Sequence, residues 1–132
     1  MLIQKREIQQ VANAMMNMLH EDEIEIINDF HDAVLARDIE KIDELFKVVL
    51  MDVEDHFQTE EAMMEQNEYH DFQVHKNDHD TMRVKLKNFH ERWEILKGPK
   101  ELQGFLEKDF KKWLMLHVSK WDAEAALHLG NG

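Results

Sequence analysis

Apolar residues recur every three or four positions along almost the whole chain, and one proline and four glycines are all that interrupt its 132 residues. A repeat of 3.6 gathers such residues on one face of an α-helix, whereas a strand needs strict alternation, so the pattern predicts an all-α fold. The breaks fall at Arg37-Asp38, at residues 67–70 and at Gly98-Pro99. They set off an N-terminal helical segment over 2–18 and long helices over 19–36, 39–66, 71–96 and 100–128. Asp38 is placed to cap the second long helix, and Gly98-Pro99 stops the third. Long helices joined by short connections predict an antiparallel up-down-up-down four-helix bundle. Residues 1–18 would add a helical arm, 19–128 would form the bundle, and 129–132 would be a flexible end or linker. The length suits a single domain over 1–132.

The inward seams carry the functional information. Steps of three and four give Met16, His20, Glu23, Ile27, Phe30 and Val34 on the first long helix, and Ile42, Phe46, Val49, Val53, His56, Glu60 and Met63 on the second. The third offers Phe72, His75, His79, Met82, Leu86, Phe89 and Trp93, and the fourth Phe110, Leu114, His117 and Trp121. Every apolar stripe is interrupted by ionisable residues. Burying an unpaired carboxylate costs several kcal/mol, and imidazoles with nothing to bind are little better, so this interior calls for a metal.

The composition narrows which metal chemistry is open. With no cysteine, thiolate ligands and disulfides are excluded, and the donors must be nitrogen and oxygen. The excess of 28 acidic over 16 basic residues gives a net charge of −12, which argues against nucleic acid and against anionic membrane surfaces as partners. No apolar run is long enough for a signal sequence or a membrane span, so a cytoplasmic protein is expected.

His56-x-x-x-Glu60 and His75-x-x-x-His79 are pairs one helical turn apart, which places two donors on one face. His20 precedes them and His117-x-x-x-x-Asp122 follows. The segments HFQTEEAMM at 56–64, YHDFQVHKNDHD at 69–80 and WLMLHVSKWD at 113–122 resemble the signature segments of bacterial hemerythrins, and the likeness runs from about Met16 to Leu127. That resemblance implies a four-helix bundle around a non-haem di-iron centre, bridged by carboxylates and an oxo or hydroxo group, that binds dioxygen reversibly. Carried over residue by residue, His75, His79 and His117 match the histidines of one iron and His20 and His56 those of the other. Glu60 and Asp122 match the bridging carboxylates. Three ligands against two then leave one coordination position open on the two-histidine side. Leu114, one turn before His117, and Ile24, one turn after His20, are placed to line the oxygen pocket.

Three departures from the family stand out. Glu23 occupies a position that is usually aliphatic, so an inward carboxylate there would be an added ligand or a pocket residue, and an outward one would leave the pocket to Ile24. Asn17 stands where an aspartate is common, and the arm lacks the usual tryptophan. The resemblance implies a dioxygen carrier or store, or the oxygen- or redox-sensing input of a signalling protein whose output domain follows at the C-terminus. It implies a binding protein rather than an enzyme. The alternative is a di-iron oxidase or peroxidase, acting on peroxide or nitric oxide, with Glu23 modifying the open site. His31, His70, His90 and His128 are expected to be ordinary surface or hydrogen-bonding histidines. Met15, Met16, Met18, Met63 and Met64 are expected to fill gaps in the core.

Overall fold

The computed structural model describes residues 1–130, and among them every regular element is helical. Helix α1 spans Ala14–Leu35, α2 Ile39–Gln66 and α3 Phe72–Leu96. A fourth helical run, α4, covers 99–129 in five consecutive stretches: Pro99–Gly104, Phe105–Phe110, Lys111–His117, Val118–Asp122 and Ala123–Leu129. The second and fourth of these are wide π-helical turns. Short turns fold each helix back on the one before, and α1 packs on both α2 and the start of α4. The result is the four-helix bundle that the periodicity predicts. No described helix is long and apolar enough to cross a membrane.

Local chemistry sets the helix ends. Asn13 caps α1 by accepting a hydrogen bond from the Met16 amide, and Asp38 caps α2 through the Lys41 amide. Each of the three interhelical turns contains one non-glycine residue in the left-handed region: Arg37 at φ 56°, Glu68 at φ 54° and Lys97 at φ 49°. After Lys97, Gly98 and Pro99 begin α4, with the proline in the first turn, where its missing N–H costs nothing.

The N-terminal arm differs from the helix expected over 2–18. Only a 3₁₀ turn at Lys5–Glu7 precedes α1, which starts at Ala14. Leu2 and Ile3 are both buried, and neighbours in sequence cannot share one face of a helix. Two asparagine side chains satisfy the extended backbone instead. Asn28 accepts from the Ile3 amide at 2.9 Å and donates to the Ile3 carbonyl at 2.8 Å. Asn17 does the same for Val11, at 2.9 and 2.8 Å. The residue where an aspartate is common therefore needs its amide, because a carboxylate could not donate. Lys111 adds a hydrogen bond to the Leu2 carbonyl at 3.0 Å.

The shift of the first helix start also corrects two core assignments. Met16 is buried, but Met15 and Met18 face solvent at 45% and 52% exposure. On α2 the seam ends on Met64 rather than Met63 and includes Phe57. At the C-terminal end Leu129 closes α4 and Gly130 follows with φ 64°; residues 131–132, part of the predicted flexible end, lie outside the described residues.

Candidate metal centre

The antiparallel arrangement brings the first turns of α1 and α3 together with the last turns of α2 and α4. There the bundle buries His20 and Glu23 from α1, His56 and Glu60 from α2, His75 and His79 from α3, and His117 and Asp122 from α4, all at 3% exposure or less. Two groups of converging donors result. Glu60, His75, His79, His117 and Asp122 form one, and His20, His56, Glu60 and Asp122 the other; within each group the donor atoms lie within 4.8 Å of one another. All seven predicted ligands are included.

The two carboxylates belong to both groups, and each divides its oxygens between them. Glu60 Oε1 lies 3.1 Å from His79 Nε2 and 3.7 Å from His75 Nε2, while Oε2 lies 2.7 Å from His56 Nε2 and 3.6 Å from His20 Nε2. Asp122 Oδ1 lies 2.9 Å from His75 Nε2 and 3.1 Å from His117 Nε2, and Oδ2 lies 2.8 Å from His20 Nε2. Each carboxylate thus spans the two donor groups, one oxygen to each. His117 and Asp122 are five residues apart, which on a regular α-helix would leave them on different faces. The π-helical turn at Val118–Asp122 widens the coil so that an i, i+5 pair shares one face.

Several contacts fit metal donors better than a hydrogen-bonded network. Asp122 Oδ1 is buried at contact distance from two imidazole nitrogens yet makes no hydrogen bond. His117 Nε2 sits 3.1 Å from both His75 Nε2 and His79 Nε2, where lone pairs would repel unless something positive lay between them. Donors about 2.1 Å from one ion at right angles would stand about 3 Å apart, and these separations match that spacing.

The electrostatics also call for positive charge. Burial alone would lower the His20 pKa, but the hydrogen bond to Asp122, followed by that to Glu60, carries it up to about 9. For His117 burial is again opposed, by the charge of Asp122 and by hydrogen bonds to Asp122 and Asp78, and the value reaches about 10. His56 and His75 are raised in the same way. Glu60 is held well below the carboxylate range, because its burial is outweighed by His56, His20 and His75. The cluster attracts protons to the places that cations would fill.

Behind the donors stands a layer of carboxylates, of which the sequence singles out only Glu23. Three imidazoles meet carboxylates through Nδ1: His56 with Glu23 at 3.1 Å, His79 with Glu61 at 2.8 Å, and His117 with Asp78 at 2.6 Å. Arg83 holds Glu61 from the far side at 2.7 Å and also grips Glu54. Phe57 stacks on the His79 ring at 4.1 Å, and Trp113 on the His117 ring at 4.6 Å. Glu61 and Asp78 each follow or precede a ligand by one residue, a position that periodicity assigns to the outside of the helix.

Glu23 does point inward. It sits on the Nδ1 side of His56, away from the Nε2 donors, and belongs to neither converging group. Ile24 and Leu114 are both buried, and Ile24 also lines a groove with Met1, Ile3 and Asn28 beneath the arm. The four remaining histidines have ordinary surroundings: His31 pairs with Glu107, His90 packs edge-on to Phe46, His128 meets the Asn67 carbonyl, and His70 is exposed beside Asp71.

A helical bundle with two carboxylate-bridged donor groups defines a class, the helical metalloproteins with a paired-metal site. Comparison with known proteins narrows it. The family described as Hemerythrin HHE cation binding domain matches residues 9–126, and the chain belongs to the hemerythrin family. It is similar to a Bacteriohemerythrin of Aquifex aeolicus (strain VF5), with 40% identity over 131 residues, covering 99% of this chain and 100% of the relative. No solved structure matches.

Proposed function

We propose that this chain is a dioxygen-binding non-haem di-iron protein, acting as an oxygen carrier or store. The observation that carries this reading is the sharing of Glu60 and Asp122 between a three-histidine and a two-histidine group, which would give two unequal metal positions side by side. His75, His79 and His117 would hold one iron and His20 and His56 the other. When bound, the iron pair supplies the reversible two-electron chemistry that dioxygen binding requires.

The chain's own residues do the rest. The imidazoles backed by Glu23, Glu61 and Asp78 are fixed with Nε2 turned to the donor groups. Phe57 and Trp113 hold two rings in place by stacking, and Ile24 and Leu114, both buried, would provide apolar walls that keep water away. This favours binding over turnover, and with it a binding protein over an enzyme. Similarity to Bacteriohemerythrin supports the dioxygen-binding reading.

The test is anaerobic loading with ferrous iron, a metal count, and exposure to air. Both positions should fill, and a visible absorption band should appear with air and vanish on deoxygenation. Immediate and lasting oxidation would instead support the oxidase or peroxidase reading, and loading by a single zinc would overturn the ligand assignment.

A further inference from the structure

The three carboxylates behind the imidazoles are not equivalent. Glu61 is shared between His79 and Arg83, so a cation balances it. Asp78, behind His117, has 27% of its side chain in solvent. Glu23 has neither. Its side chain is 1% exposed, its Oε1 meets His56 Nδ1, and its Oε2 is buried without a hydrogen-bond partner. Among the described residues no lysine or arginine pairs with it.

A second acidic side chain lies nearby. Asp52, one turn before His56 on α2, is half-buried, and its Oδ2 is also without a partner. Burial first, and the negative charge of Glu23 second, push its carboxyl up to about 6.

We propose that Glu23 is a positioning residue. By accepting the Nδ1–H of His56 it fixes that ring with Nε2 facing the donor group, and its buried carboxylate, with no lysine or arginine behind it, makes the two-histidine side the more electron-donating half of the centre. This inference rests on the di-iron reading. An imidazole that donates a hydrogen bond to a carboxylate is a stronger ligand, and a fixed negative charge in a water-poor site favours the more highly charged state of the metal beside it. Nothing comparable acts on the three-histidine side, where Arg83 and solvent offset Glu61 and Asp78.

The test compares the wild type with Glu23→Gln, Glu23→Leu and Glu61→Gln. Glutamine keeps the shape and an accepting oxygen of Glu23 but removes its charge. Zinc titration of the metal-free proteins should show affinity at the two-histidine position falling roughly 10- to 100-fold in Glu23→Leu and by less in Glu23→Gln. In the zinc-loaded wild type, the His56 Nδ1–H proton should resonate far downfield, move in Glu23→Gln and be lost in Glu23→Leu. In the iron-loaded proteins the midpoint potential should rise in Glu23→Gln, and by more than in Glu61→Gln. A wild-type potential together with wild-type zinc affinity in Glu23→Gln would overturn the proposal. Because zinc titration reads the donor group directly, failure of reversible dioxygen binding would count against the proposed function and leave this test intact.

Discussion

The two ends of the bundle use the same four helices in opposite ways. At one end Ile27, Phe30, Val34, Ile42, Phe46, Leu86, Trp93 and Phe105 are buried, with the Phe30 and Phe46 rings 5.0 Å apart and Phe89 stacked on Phe105 at 4.0 Å. At the other, the same seams carry His20, Glu23, His56, Glu60, His75, His79, His117 and Asp122. The apolar end gains from burial alone, at about 25 cal/mol per Å². The donor end pays desolvation for two carboxylates and recovers it only when positive charge enters, as protons or as metal. One end folds the chain, and the other is paid for by that folding.

The largest test of this contrast is Asp122→Ala. Because Asp122 touches both donor groups, the variant should lose both metals by elemental analysis while circular dichroism still shows a helical chain; retention of both would break the claim that the carboxylate bridges. Next in size, Phe30→Ala at the apolar end should cost about 3–5 kcal/mol by urea denaturation, equally with and without metal. A cost that changed on metal loading would show that the ends are not independent.

Chelation comes third. Removing metal held at a free concentration about 100-fold above its Kd should lower stability by about 2.7 kcal/mol. Amide exchange should quicken around 56–60 and 117–122 and stay slow around 42–49.

Asp52→Asn should have a smaller and pH-dependent effect. The folded-state value of about 6 lies above the ordinary 3.8, so the unfolded chain loses its proton first and stability falls as pH rises between the two values. The penalty is complete above about pH 6. Asparagine should therefore stabilise the metal-free protein by on the order of 1 kcal/mol near neutral pH, after discounting for the half-exposed side chain, and have no effect below about pH 4. The smallest effect concerns the turns. Glu68→Gly at the donor end and Lys97→Gly at the apolar end should each relieve a left-handed residue and raise the unfolding free energy by about 0.5 kcal/mol, with no difference between the ends.

Much of this architecture is legible in the sequence, because seams and short breaks are local signals. The seam Met16, His20, Glu23, Ile27, Phe30, Val34 is buried throughout, and Asp38 caps α2 as its type and place predict. The arm is not a helix although Ile3, Ile8 and Val11 fit a loose helical repeat, because the backbones of Ile3 and Val11 are held by Asn28 and Asn17 from elsewhere. Asp122 is visible by resemblance only; periodicity put Trp121 on the seam, because nothing in a regular repeat announces a π-helical turn. Glu61 and Asp78 were missed for a related reason, since each serves a histidine on another helix.

The sequence by itself determined that four amphipathic helices form, where they stop, and that a set of nitrogen and oxygen donors lies on their inward faces, since each of these follows from spacing along one helix. The tertiary structure alone decided how those donors pair across helices: that Glu60 and Asp122 each face two groups, and that Glu23 stands behind His56 rather than among the donors. Distances between helices depend on how side chains pack in three dimensions, and no periodicity within a single helix carries that information.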